Sequence, residues 1–197
     1  MFRKPLFLLS LFIATGFSSY AQQFFHSAGL TGLVMNGDIV VRRPGGNAKY
    51  TPVMVGLTYF PRISFPLSAS ASLSAGLPIT LGAGFIDNDF VGIKQTSFAY
   101  DVPFVIDYND AFKAAEAGDE KLGFYLGAGL GMTKVMPDSI PGSLQKTSST
   151  GILVRGGIRI GFADDENNQG FTIGIFHRIG FEFARYKTTG ITLLYDF

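Results

Sequence analysis

The chain contains no cysteine. That excludes disulfides, thiolate metal sites and a lipid-anchored lipoprotein. Histidine is nearly as scarce: His26 and His177 lie far apart with no carboxylate at ligand spacing, so neither a metal site nor a cofactor is expected. Charged residues make up only 16% of the chain. With Arg3 and Lys4 assigned to a cleaved leader, the 16 basic residues fall to 14 against 15 acidic ones, which removes nucleic acid as a partner by charge. Beyond residue 21 no uninterrupted apolar run reaches the roughly 18 residues of a helical membrane span.

Glycine and aromatic side chains dominate instead, with 25 Gly, 20 Phe and 8 Tyr. A greasy chain without helical spans must dispose of its apolar surface by alternation, the distributed signature of a transmembrane β-barrel. Residues 1–21 carry a basic start (Arg3, Lys4), an apolar stretch from Pro5 to Phe17 and a small-x-small close at Ser19-Tyr20-Ala21. They read as a signal peptide cleaved after Ala21, leaving one barrel domain over 22–197.

Eight alternating segments follow, near 24–35, 51–62, 68–82, 97–108, 122–135, 150–163, 170–183 and 188–197. The expected fold is all-β, a single antiparallel up-and-down barrel of about eight strands, with six and ten as the neighbouring counts. In the fifth segment Leu122, Phe124, Leu126, Ala128, Leu130 and Met132 alternate with Gly123, Tyr125, Gly127, Gly129, Gly131 and Thr133. The fourth, sixth and seventh set apolar residues opposite Asp101 and Asp107, Arg155 and Arg159, and Arg178 and Glu182. In the third, Leu73, Leu77, Ile79 and Leu81 oppose Ser68, Ser70, Ser72, Ser74 and Thr80. Only 111–117 reads as a helical turn. Tyr59, Phe60, Tyr100, Tyr108, Phe162 and Phe171 stand at segment ends, where an interfacial girdle would lie. The first and fifth connections are long and polar, the second and sixth short, as outer loops and periplasmic turns should alternate; the longer 109–121 is the exception.

An eight-stranded barrel is wide enough inside only for side chains, so inward charges must pair. Counting through the short turns sets Arg155 beside Arg178, Arg178 beside Asp196 and Glu182 beside Thr192. It also sets Gly131 beside Arg155 and Gly127 beside Arg159, making room for the guanidiniums, while Asp101 and Asp107 close the network. Such a network either plugs and stiffens the barrel or lines a narrow gated ion path.

Outside the lumen, Arg42, Arg43 and Lys49 make the first outer loop basic, a patch for anionic sugars, lipid headgroups or another envelope protein. Asp87, Asn88 and Asp89 offer oxygen ligands on a loop, where solvation is the simpler reading. Gly82, Gly84, Gly127, Gly129 and Gly131 form G-x-G patterns with no helix after them, so they are barrel glycines and not a phosphate cradle. No Ser, His and acid can be assembled at the outer rim, and no enzyme is expected.

The last strand alternates Ile191, Leu193, Tyr195 and Phe197 with Thr192, Leu194 and Asp196. On the leader, the eight segments and the ending Gly190-x-x-Leu193-x-Tyr195-x-Phe197, the whole chain from residue 22 resembles the small outer-membrane β-barrel proteins of Gram-negative bacteria. It is most similar to the glycine- and aromatic-rich barrel domains common in the Bacteroidota, of OmpA/OmpX and PorT-like architecture, departing where Leu193 replaces an aromatic. The resemblance implies a cell outer membrane location, membrane lipid as surroundings, and Gly190, Leu193, Tyr195 and Phe197 as a signal to the barrel assembly machinery. It leaves activity open. The expected function is a non-enzymatic structural or surface-interaction role through the outer loops. The alternatives are a narrow channel or secretion accessory with a charged lumen, and a soluble lipid-binding barrel.

Overall fold

The computed structural model describes residues 22–36, 41–43, 46–48, 51–88, 93–112, 114, 121–135, 147–162, 169–181 and 187–197. The expected signal peptide lies outside these residues, as do Lys49, Asp89, Glu182 and most of the fifth outer connection. Strands in chain order are β1 (Gln23–Asn36), β2 (Val41–Arg43), β3 (Gly46–Ala48), β4 (Val53–Pro66), β5 (Ala71–Gly76), β6 (Ile79–Asn88), β7 (Ile93–Ala111), β8 (Leu122–Val135), β9 (Thr147–Gly161), β10 (Gly170–Gly180) and β11 (Lys187–Asp196). β2 and β3 form a separate hairpin, with Arg42 opposite Asn47 and Arg43 opposite Gly46.

The other nine strands form one antiparallel ring. β1 pairs with β11 on one side and β4 on the other, so the sheet closes on itself and leaves no edge. β5 and β6 occupy one position in that ring, between β4 and β7. Both halves keep the same register: Arg62 lies opposite Gly76 and Tyr59 opposite Ile79, while Gly76 faces Val105 and Thr80 faces Asp101. The break at Leu77-Pro78 is therefore not a slip. Pro78 has no N–H to give the ladder, and Pro103 stands level with it on β7 while Pro61 stands level with Leu77 on β4; the Leu77 N–H still reaches the Pro61 carbonyl at 3.1 Å. Eight barrel positions result, the number expected from the alternation.

The boundaries differ most in the third and fourth positions. Residues 67–70 are a tight turn in which the Ser68 hydroxyl accepts the N–H groups of Ser70 and Ala71, so Ser68 and Ser70 are turn residues and not inward strand residues. At the other end β6 runs to Asn88. Asp87 and Asn88 are thus paired in a strand, opposite Lys94 and Ile93, and not part of a loop. At the end of β7, Ala111 takes a left-handed conformation (φ 62°) and the Ala114 N–H closes a turn on the Ala111 carbonyl at 2.9 Å.

The period of two sorts side chains into two environments, and the sorting is the reverse of a soluble protein's. Leu57, Leu126 and Ile175 point outward and are 70%, 68% and 66% exposed, whereas Arg159, Arg178 and Asp196 point inward and are 0% exposed. Near the end where β1 starts and β11 stops, an aromatic band crosses the outside of β10, β11, β1 and β4, from Phe162 just past β9. Phe162, Phe171, Tyr195, Phe197, His26 and Tyr59 succeed one another at centroid distances of 5.3 to 6.2 Å. Phe197 is held there by its N–H on the His26 carbonyl at 3.1 Å, which extends the β1–β11 seam past β11. Phe60 is not in this band: it points inward and is buried, because its parity on β4 is opposite to that of Tyr59.

Because the chain has no cysteine, register is open to a direct check. Ile179→Cys and Lys187→Cys, opposite one another on β10 and β11, should cross-link on oxidation. Ile179→Cys with Tyr195→Cys should not, since eight residues of strand separate Tyr195 from Lys187, about 26 Å. The reverse result on a gel would refute this register.

Candidate functional site

Among the described residues the lumen is where the fold gathers buried charge. Among the described residues, the buried charged side chains are Arg62, Arg155, Arg159 and Arg178 with Asp101, Asp107 and Asp196. All sit on ring strands at inward positions, so the sheet's pleat, and no loop, positions them.

They fall into three levels along the barrel axis. Toward the hairpin end, Arg178 on β10 donates from Nη1 to Asp101 Oδ1 on β7 at 2.8 Å and to the Thr133 hydroxyl, while Thr133 donates to the same Asp101 oxygen at 2.5 Å. Above them Met35, Met54, Ala99 and Val135 cap the lumen with apolar packing. At mid-height Arg155 Nε lies 3.6 Å from Asp107 Oδ1, an ion pair without a hydrogen bond. Toward the terminal end Arg62 Nη2 lies 3.5 Å from Asp196 Oδ1, and Asp196 also accepts the hydroxyls of Ser27 and Thr172.

Aromatic rings tie the lower levels together. Arg62 lies over Phe25 and Phe60 at 5.3 and 5.5 Å, Arg155 over Phe60 and Tyr125 at 4.8 Å each, and Arg159 over Tyr125 at 4.9 Å. Rings and guanidiniums thus alternate through Phe25, Arg62, Phe60, Arg155, Tyr125 and Arg159, each ring placing its electron-rich face against a cation shielded from water. Hydroxyls fill much of the remaining wall: Thr31, Thr58 and Thr80 form a chain at 2.5 and 2.7 Å, and Asn109 donates to Ser72 and Ser74 at 3.2 and 3.0 Å. A small cavity lined by Asp101, Tyr125, Arg155 and several threonines has about 20 Å³, room for a single water. At the terminal end Phe112 folds in from the turn after β7, its ring against Gly161 and Gly170, where any Cβ would strike it.

The expected pairings inside the lumen need correction. Arg155 lies opposite Phe176, not Arg178; Arg178 lies opposite Leu153 on β9 and Thr188 on β11; Asp196 lies opposite Gly170. Gly127, not Gly131, lies opposite Arg155, and Gly123, not Gly127, opposite Arg159. Each shift is an even number of residues along the strand, so these residues keep their inward face while their partners change; the expected pair of Glu182 with Thr192 lies outside the described residues. Connection length does not set register in a barrel, since closing the ring imposes its own stagger. Glycines do make room for charge, at other partners: a Cβ on Gly131 would lie 2.6 Å from Arg178 Nη2, and one on Gly127 would collide with Asp107 Oδ1.

Arg62 and Phe25 are the members that sequence reasoning missed; Phe60 was expected in the outer girdle, and Tyr125 was placed on the inner face of its strand but not in the charge network. Arg62 was legible: it shares the inward parity of Thr58 and Phe60, but it stands at the last residue of the expected second segment, where a charge reads as an interfacial end. Of the remaining expected residues, Gly190 is inward against the Phe176 ring, and Leu193, Tyr195 and Phe197 face outward. His177 is on the outer face with Nδ1 2.9 Å from the Thr189 hydroxyl. Among the described residues no group of His, Asp or Glu is placed to hold a metal.

No protein-family model and no curated protein sequence matches the chain. Solved structures do. Neisserial surface protein A is 10% identical with a TM-score of 0.50, covering 89% of this chain and 97% of its own. The outer membrane protein OprG of Pseudomonas aeruginosa is 10% identical at 0.49, covering 90% and 93%. The attachment invasion locus protein Ail of Yersinia pestis is 14% identical at 0.48, covering 89% and 98%. At such identity the likeness to Neisserial surface protein A shows a shared barrel fold and nothing finer.

The two ion pairs of unequal geometry should respond unequally. Arg178→Gln or Asp101→Asn should each lower stability by about 3–5 kcal/mol, by leaving a buried charge unpaired, and the double variant should cost less than the sum. Asp107→Asn should cost less than Asp101→Asn, since its pair has no hydrogen bond. Urea unfolding in detergent micelles measures both; equal losses would contradict the arrangement.

Proposed function

We propose that the chain is an outer-membrane β-barrel without enzymatic activity, a structural and surface-interaction protein that works through the connections at its hairpin end. The observation that carries this reading is the reversed sorting of side chains on a closed ring. A continuous apolar exterior is costly in water but matches lipid on every side, and closure satisfies the backbone groups that lipid cannot. The aromatic band from Phe162 round to Tyr59 fits one interface level of a bilayer. A ligand-holding soluble barrel would need the opposite arrangement, an apolar interior with free volume, where this lumen is filled with ion pairs, rings and hydroxyls.

The same filling favours a plug over a path. Arg178, Arg155 and Arg62 cross the lumen at successive levels, each tied to an acid on another strand, and Phe112 occupies the terminal end. With transport set aside, what remains to contact a partner is the hairpin end. There β2 carries Arg42 and Arg43, with Lys49 following in sequence. Their charge suits anionic sugars, lipid headgroups or an acidic face of another envelope protein. The outward Leu193, Tyr195 and Phe197 of the closing strand are assigned to recognition by the barrel assembly machinery.

Single-cysteine variants test the topology in whole cells. Asn47→Cys on the hairpin should react with a membrane-impermeant maleimide, and Ser70→Cys, in the turn at the other end, should react only after the outer membrane is permeabilised. The opposite pattern, or release of the protein by a carbonate wash, would refute the reading. In planar bilayers the purified barrel should show no discrete conductance steps; steps that change with Arg155→Ala would establish the channel instead.

A further inference from the structure

His177 and Thr189 form a polar pair on the outer wall. They face outward from neighbouring strands β10 and β11, with His177 Nδ1 2.9 Å from the Thr189 hydroxyl. Two outward aromatics bracket His177 along its own strand, Phe171 about 20 Å toward the terminal end and Phe181 about 13 Å toward the hairpin end. The pair thus lies within the apolar span and not at its rim. At that depth a polar group has no water to turn to, and leaving it without a hydrogen bond is costly. Among the described residues the Thr189 contact is the hydrogen bond that His177 makes, so Nε2 is left to be satisfied from the lipid side.

The pair sits midway along a groove of about 1150 Å³ in the outer wall. Two rows of laterally paired residues line it. One runs from Leu126 on β8 through Gly156, Ile175 and Ile191 to Gly32 on β1. The other runs from Val154 on β9 through His177, Thr189 and Val34 to Val53 on β4. Six neighbouring strands are crossed, so the groove is about 24 Å long, five inter-strand spacings. Gly32 and Gly156 put no side chain over the wall, and a Cβ at Gly32 would meet nothing within 4 Å.

We propose that this groove binds one acyl chain of a membrane lipid, and that the chain carries a hydroxyl group near its middle which hydrogen-bonds His177 Nε2. The inference rests on the membrane placement proposed above. A run of about 24 Å between two rows of side chains suits an extended chain, and apolar lining on both sides of the polar pair puts the ligand's polar group at mid-chain. A hydroxyl both donates and accepts, so it satisfies Nε2 whichever ring nitrogen carries the proton. An ester carbonyl can only accept, and a carboxylate or phosphate would carry charge into the hydrocarbon. The volume is that of a small-molecule site, which favours a single lipid chain over a second protein.

The test uses the full barrel in detergent micelles with isotope-labelled histidine, read by nuclear magnetic resonance. The chain has two histidines, so the imidazole signal that persists in His26→Gln belongs to His177. A stearate hydroxylated at mid-chain should move that signal saturably, at concentrations about tenfold below those at which plain stearate moves it, the worth of one hydrogen bond made away from water. Gly32→Leu, which fills the groove without striking the wall, should abolish the response to the hydroxylated acid. Equal response to the two acids, or no response, overturns the proposal, as does a full response in Gly32→Leu. A signal that shifts as protein concentration rises, with no fatty acid present, gives the groove to a second copy of the chain and also overturns it. The comparison of the two acids needs no change in the groove, so it decides the matter even if Gly32→Leu does not refold. It is also separate from the carbonate wash: a barrel that stays in the membrane but does not distinguish the acids refutes this site and leaves the membrane reading standing.

Discussion

Closure of the backbone hydrogen-bond ring is the constraint on which the rest of this molecule depends. Once β1 finds β11 as well as β4, no strand edge remains and the chain's polar backbone is satisfied without water. Every side chain then belongs to one of two solvents according to whether its position in the strand is odd or even. The exterior can be wholly apolar, as at Leu57, Leu126 and Ile175, because the polar backbone needs nothing from it. The interior can be wholly occupied, because eight strand positions leave a bore about as wide as its side chains. Glycine at Gly127 and Gly131 is what lets Asp107 and the Arg178 guanidinium fit within that bore.

Confined in that bore, charge acquires a structural meaning. The three ion pairs link strands that are not neighbours in the ring: β4 to β11 past β1, β7 to β9 past β8, and β7 to β10 past β8 and β9. They tie the wall along chords of the ring, where backbone hydrogen bonds tie only adjacent strands. The interleaved rings of Phe25, Phe60 and Tyr125 keep water from the guanidiniums and fill the space between levels. On the proposed reading a lumen filled in this way acts as a plug, and interaction with the outside falls to the connections, among them the β2–β3 hairpin with Arg42 and Arg43.

What was legible in the sequence divides along the same physical line. Facing has a period of two and is carried by each residue's own chemistry, so Asp101, Asp107, Arg155, Arg159, Arg178 and Asp196 could be placed inside from their neighbours alone. Pairing depends on stagger between strands, which is a property of the closed ring and leaves no local mark. Arg178 therefore meets Asp101, 77 residues away, where counting through the last turn brought it to Asp196. The split of the third strand could be read from Leu77-Pro78 once Pro61 and Pro103 were known to lie level with these two residues, and that again requires register. Arg62 was lost for a different reason: its inward parity was readable, but it stood at the last residue of the expected segment, where a charge reads as an interfacial end, whereas the strand runs on to Pro66.

The account stands or falls on which face of the wall meets lipid. The chain has no tryptophan, so a single introduced one reports its own surroundings. Leu126→Trp and Leu193→Trp, both outward, should be strongly quenched by lipids brominated along the acyl chain once the barrel is reconstituted. Tyr125→Trp, one residue away but inside, should be quenched little. Equal quenching at 125 and 126, or stronger quenching at 125, would contradict the proposed placement of the barrel in a membrane.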